Sequence, residues 1–170
     1  MAFLKNKPST LSREKFIELY GGVYEHSSWV AEQAWDAGAS SGHDDIASLA
    51  TLMASIVAKS DDRVKMNLIL AHPDLAGKAA VSGELTVSST SEQASAGLND
   101  CSEEEFEKFQ SYNTAYKEKF RFPFIKAVKN SNRFEILKGF EERLENSEEQ
   151  EFITALAEID KIAAFRLHEL

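Results

Sequence analysis

Apolar residues recur along this chain at three- and four-residue spacing and almost nowhere in strict alternation, so the pattern predicts helices throughout. A first helix starts at Ser12, puts Phe16, Ile17 and Tyr20 on one face, and ends at Gly21-Gly22, where glycine supplies a left-handed cap. A second starts from Ser27 or Ser28, carries Trp29, Val30 and Trp35, and stops near Gly38, before the loop Ser40-Ser41-Gly42. Asp44 or Asp45 caps a third, whose apolar stripe is Ile46, Leu49, Leu52, Met53, Ile56 and Val57. Asp61-Asp62 opens a fourth, which runs through Val64, Leu68 and Ile69 to His72. Pro73 to Leu85 reads as irregular, with Gly77 and Gly83 as punctuation.

The second half has the same character. Thr86 to Gly97 is a short helix. Ser102-Glu103-Glu104-Glu105 has the form of a capping box for a long one, with Phe106, Phe109, Asn113, Tyr116 and Phe120 as its buried stripe. The helical period breaks at Arg121-Phe122-Pro123-Phe124-Ile125-Lys126-Ala127-Val128, which reads as extended and partly buried. Ser131 or Asn132 then starts a helix carrying Phe134, Ile136, Leu137, Phe140 and Leu144, and Ser147 to Gln150 is a second capping box for a last helix that runs almost to the end. The expectation is an all-α, single compact domain of about eight helices, spanning residues 1–170, with no repeat period and no linker long enough to divide it.

Charge narrows the partners. A net charge of -9 argues against nucleic acid and against an anionic membrane surface, since both need a basic face. It leaves room for a small anionic substrate held by one arginine. The single cysteine, Cys101, allows no intramolecular disulfide and points to a reducing compartment, and the first residues have no long apolar run of the secretory kind; the expected location is cytoplasmic. His26, His43, His72 and His168 are scattered without a metal-ligand spacing, and there is no glycine-rich phosphate loop or nucleophile elbow, so no metal or cofactor is expected.

Three features carry candidate chemistry. His72 ends an apolar run and Pro73 follows at once, which presents the imidazole at a helix end. That placement favours the imidazolium and suits acid–base work, and it equally suits a plain capping histidine. Ser89, Glu92 and Gln93 stand at i, i+3 and i+4 on one helix face, either lining a pocket or facing solvent. Arg166 falls on the apolar face that Phe152, Leu156, Ile159, Ile162 and Ala163 give the last helix. An arginine there either snorkels off the helix end or holds an anion with its fork of donors.

Taken in order, Ala71-His72-Pro73-Asp74-Leu75, then Leu85-Thr86-x-x-Ser89-x-x-Glu92-Gln93-x-x-Ala96-Gly97-Leu98, then Asn113-x-x-Tyr116-x-x-Lys119-Phe120-x-Phe122-Pro123-Phe124, then Ile162-Ala163-x-x-Arg166-Leu167 closely resemble the OHCU decarboxylases, which act on 2-oxo-4-hydroxy-4-carboxy-5-ureidoimidazoline between urate and allantoin. The opening Phe16-x-x-x-Tyr20-Gly21-Gly22-Val23-Tyr24-Glu25-His26-Ser27 is family-like too, so the resemblance covers nearly the whole chain. Each motif is weak alone; the order and spacing together are specific.

The resemblance implies an all-α homodimer that takes a small ureide substrate and uses no cofactor. It implies His72 and Glu92 as catalytic residues, and Pro73, Ser89, Gln93, Arg166 and the backbone of Phe124 and Ile125 as substrate contacts. His72 would take the substrate hydroxyl's proton, Glu92 would orient or tune it, and one fixed ring face would give (S)-allantoin. One departure is Arg121, where the family commonly has glycine before the Phe-Pro-Phe run; it bears on local loop geometry and leaves the polar set untouched.

Overall fold

Side-chain caps set where most of the helices begin. In the computed structural model, which describes residues 1–170 apart from Lys78, Ala79 and Val81, Ser12 accepts from the Lys15 N–H and starts α1 (Arg13–Tyr20). Next comes α2 (Trp29–Asp36), whose N-cap Ser28 makes no side-chain cap bond. Asp45 caps α3 (Ile46–Lys59) and Asp61 caps α4 (Asp62–Leu70) through the N–H groups of Ser48 and Val64. Thr86, Ser102 and Asn132 do the same for α5 (Val87–Ser95), α6 (Glu103–Phe120) and α7 (Arg133–Arg143). The last helix is α8 (Glu148–Glu169). Each cap satisfies an N–H that the first turn leaves unpartnered and contributes about 1 kcal/mol. The fold class is all-α: among the described residues there is no strand, only an isolated bridge between Phe3 and Asp45.

Several local expectations need correction. Gly21 is right-handed (φ -64°), so it does not end α1 by a left-handed cap; its role is steric, because a Cβ there would stand 2.5 Å from the Ile17 carbonyl oxygen. Helix α4 stops at Leu70 with Ala71 as its cap, two residues short of His72. The reason is the proline, which bars helical geometry at the residue before it. Ala80 and Ser82 are helical within the stretch read as irregular; the part of that reading on 78, 79 and 81 lies outside the described residues. The Ser102–Glu105 box is complete, whereas at Ser147 only one arm forms: Gln150 N–H donates to the Ser147 hydroxyl and the Gln150 amide donates to Thr154 instead. Phe106, expected in the buried stripe of α6, is only half-buried. The buried line of α8 is rotated from the one predicted: Glu151, Ala155, Ile159, Ala163 and Leu167, at successive intervals of four, with Arg166 beside it.

The chain divides into two compact units, Met1–Ala71 with Ile159–Leu170, and His72–Glu158. In the first, Phe16 is fully buried with Tyr20 and Trp35 rings at 5.0 and 5.4 Å, and Leu49, Met53, Leu68 and Ile69 fill the interior. In the second the core is aromatic. Phe124 stacks on Phe140 at 3.7 Å, and Tyr116 meets Phe124 edge-on at 5.2 Å. Burying one such side chain stabilises the fold by roughly 1.5–3 kcal/mol. The segment 121–128 is partly buried, as expected: Phe122 to Ile125 and Val128 are buried as core residues of this unit, Arg121 is exposed, and Lys126 and Ala127 are intermediate.

Candidate active site

His72 opens the second unit, and it is buried. The loop that follows it is clasped from two helices. Gln93 of α5 accepts from the Ala76 N–H at 3.1 Å and donates to the Asp74 carbonyl at 3.4 Å. From α6, Gln110 donates to the Ala76 carbonyl at 2.7 Å, Asn113 to the Leu75 carbonyl at 2.9 Å, and Lys117 to the Asp74 carboxylate at 2.6 Å. Those three lie at i, i+3 and i+7, one stripe of the helix. Ala76 pays for the tight turn with a left-handed backbone (φ 51°), which costs a non-glycine residue on the order of 1 kcal/mol. It is held there because both its N–H and its carbonyl are bonded. Gly77 completes the turn, since a Cβ on it would stand 2.7 Å from the Asp74 Cβ. The short stretch after His72-Pro73 is thus fixed, with Ala76 in its strained conformation, by side chains of α5 and α6.

The face of α5 that spacing leaves open, pocket-lining or solvent-facing, turns inward. Ser89 and Gln93 are buried and Glu92 is half-buried, so the solvated reading of that face fails. Gln93 also lines a cleft of about 520 Å³ with Ala76, Leu98, Cys101 and Phe106. That is within the size range of small-molecule sites. Burial, with Glu105 adding to it, pushes the Cys101 thiol pKa up, the opposite of what thiolate chemistry needs.

Phe124 and Ile125, 1% and 2% exposed, are held by a second set of contacts in this unit. Arg143 donates from Nη1 to the Ile125 carbonyl at 2.6 Å, and Glu158 accepts from the Ala127 N–H at 2.9 Å. Among the described residues the N–H groups of Phe124 and Ile125 have no hydrogen-bond partner. Paired donors on buried, rigid backbone can receive a carbonyl or carboxylate oxygen. Helix α6 links the two gripped segments: Asn113 holds the loop after His72, and Tyr116, one turn on, packs against Phe124.

Arg166 belongs to the first unit. It is 5% exposed and does not snorkel. Its Nη2 lies 2.7 Å from Glu25 Oε2, and Nη1 makes long contacts to the carbonyls of Gly22 and Val23 at 3.4 and 3.5 Å. Glu25 has no periodic signal in the sequence that marks it as a partner. Asn113 and Glu151 do have one: each is a polar side chain on an otherwise apolar helix face, where a partner is required.

Comparison with known proteins adds the following. The family model described as OHCU decarboxylase matches residues 9–168. The chain is 40% identical over 158 residues to a 2-oxo-4-hydroxy-4-carboxy-5-ureidoimidazoline decarboxylase of Halalkalicoccus jeotgali, covering 93% of this chain and 86% of that one. It is 30% identical over 164 residues to the protein of that name in Mus musculus, covering 96% and 90%. A crystal structure of (S)-allantoin synthase matches with a TM-score of 0.75 at 33% identity, over 94% of this chain and 51% of that one. A crystal structure of OHCU decarboxylase in the presence of (S)-allantoin matches with a TM-score of 0.68 over 86% of this chain and 93% of that one; at 24% identity it bears on the fold alone.

Proposed function

This chain belongs to the OHCU decarboxylase family and is a carboxy-lyase of urate degradation, converting 2-oxo-4-hydroxy-4-carboxy-5-ureidoimidazoline to allantoin; we propose that it does so with His72 and Glu92 as its acid–base pair. The substrate has a hydroxyl and a carboxylate on one ring carbon, beside a carbon doubly bonded to nitrogen. When the carbon–carboxylate bond breaks, carbon dioxide leaves and its electron pair moves into the ring toward that nitrogen. The chemistry supplies its own electron sink. The nitrogen takes up a proton as it receives the pair; a second proton is taken up at the neighbouring carbon, and the hydroxyl carbon becomes the allantoin carbonyl as its own proton departs, a net uptake of one proton for each carbon dioxide released.

His72 takes the hydroxyl proton, and Glu92 orients or tunes the imidazole or assists proton delivery. Ser89, Gln93 and Pro73, with the backbone of Phe124 and Ile125, hold the ring and ureido groups; Arg166 holds the anionic group. A substrate fixed by one face receives its proton from one side, so a single enantiomer forms, and likeness to an (S)-allantoin synthase makes (S)-allantoin the product proposed. The observation that carries this reading is the buried polar face of α5, with the Gln93 amide bonded to the loop that His72-Pro73 leads into.

The test is a coupled reaction. Urate is fed through urate oxidase and hydroxyisourate hydrolase, the protein is added, and circular dichroism is followed. The expected result is rapid appearance of the (S)-allantoin signal; optical activity that rises no faster than without the protein overturns the assignment. Among the described residues no helix is long and apolar enough to cross a membrane. The enzyme acts as a cytoplasmic homodimer on this reading, with light scattering at micromolar concentration as the check on its mass.

A further inference from the structure

We propose that Arg143 is a positioning residue for this reaction: by holding the Ile125 carbonyl it fixes the backbone N–H groups of Phe124 and Ile125 where they meet the substrate. This rests on the reading, given above, that the Phe124–Ile125 backbone is a substrate contact.

Arg143 is anchored on three sides. Its Nη1 donates to the Ile125 carbonyl at 2.6 Å, its Nε donates to Glu151 at 2.8 Å, and its guanidinium lies 4.2 Å over the Phe124 ring. Glu151 is fully buried and is itself held by the Tyr116 hydroxyl at 2.5 Å and the Asn146 amide at 3.0 Å. A buried ion pair is a poor device for stability alone, because apolar side chains of similar volume often serve as well or better. What apolar side chains cannot supply is a fixed donor to a main-chain carbonyl. A planar guanidinium can bond Glu151 and Ile125 at once from a rigid fork; an ammonium is a single point of charge and cannot reproduce both.

The consequence is local and geometric. Arg143 holds the Ile125 carbonyl, in the 125–126 peptide, and Glu158 holds the Ala127 N–H, so the chain is fixed immediately after the 124–125 peptide that carries the Ile125 N–H. The Phe124 ring, stacked on Phe140 at 3.7 Å, locks the other end. Rate and affinity are sensitive to misplacement of such groups by an ångström or less.

The experiment uses the full chain. One variant combines Arg143→Met, Glu151→Leu and Tyr116→Phe, which removes the pair and the hydroxyl that would otherwise be left unpartnered. A second is Arg143→Lys, which keeps the charge opposite Glu151. Melting temperature, kcat and KM are measured, together with the backbone amide NMR shifts of Phe124 and Ile125 as (S)-allantoin is added. The expected outcome is a triple variant that melts at or near the wild-type temperature with KM raised about tenfold or more and kcat less affected, and Arg143→Lys moved the same way. A folded triple variant with unchanged KM overturns the inference; if the triple variant does not fold, Arg143→Lys decides on the same criterion. Wild-type amides at Phe124 and Ile125 that ignore allantoin overturn the substrate-contact reading, and this inference with it. Wild-type amides that respond, alongside Arg143 variants with unchanged KM, overturn only the role of Arg143.

Discussion

Glu25 and Arg166 form a buried ion pair, with Oε2 and Nη2 2.7 Å apart and the two residues 2% and 5% exposed. An arginine on an apolar helix face needs a counter-charge before it can be buried, and Glu25 supplies it. The pair has no net charge, so any hold that Arg166 has on a substrate anion comes from directed N–H groups rather than from an uncompensated positive site.

Glu25→Gln leaves the guanidinium buried without its counter-charge. The expected loss is about 3–5 kcal/mol, or about 6–20 °C in Tm for a chain of this length. The double variant Glu25→Leu with Arg166→Met removes both charges and recovers much of that loss. Thermal melts of the two decide the point: a Glu25→Gln protein as stable as the wild type means the pair contributes nothing to folding.

His72→Ala and Glu92→Gln are each expected to lower activity by at least ~10²-fold with little change in Tm. His72 stands beyond the end of α4, and alanine keeps its backbone N–H, so the substitution leaves the helix itself intact. Coupled turnover measured beside a melting curve separates the alternatives. A variant that unfolds together with its activity assigns His72 to holding the chain rather than to chemistry.

Helix periods and caps were legible because each depends on residues three or four apart, whereas the spacing of Ser89, Glu92 and Gln93 gave a shared face without saying which way it turns. The end of α4 was misjudged by two residues, since the proline acts on the residue before it and not at its own position. The partners of the site were not legible at all. Glu25 reaches Arg166 from 141 positions away, and Arg143 reaches Ile125 from 18. Such pairings are set by tertiary packing, and one sequence contains no periodic trace of them. A weaker signal was present: Asn113 and Glu151 sit on apolar stripes, which says that a partner exists without saying which.

Arg121, where the family resemblance leads one to expect glycine, takes the left-handed conformation (φ 67°, ψ 17°) that caps α6. The loop geometry is kept, then, at the cost of backbone strain in an exposed arginine. Arg121→Gly relieves that strain and loses part of the gain to the greater freedom of glycine in the unfolded chain. A net gain of about 0.5–1 kcal/mol is expected, or about 1–4 °C in Tm, with turnover unchanged within about twofold. A lower Tm means that the arginine side chain contributes more than its backbone costs.

Asp160 gives the fold a pH dependence of known sign. Burial pushes its carboxyl above the ordinary range, and the hydrogen bond from the Tyr24 hydroxyl, 2.8 Å from Oδ1, offsets only part of that. A carboxyl with a raised folded pKa favours folding while protonated. That contribution is present below its unfolded pKa, about 3.9, and is lost as pH rises through the folded value. At neutral pH the ionised group is therefore a liability. Asp160→Asn removes the charge and keeps an oxygen to accept from Tyr24, so the variant should melt above the wild type at pH 7. The gap should close as pH falls toward about 4, where the wild-type carboxyl is protonated as well. Melting curves of both proteins across that range test the sign directly: a gap that does not narrow on acidification, or a variant less stable at pH 7, rules out burial of the Asp160 charge as its cause.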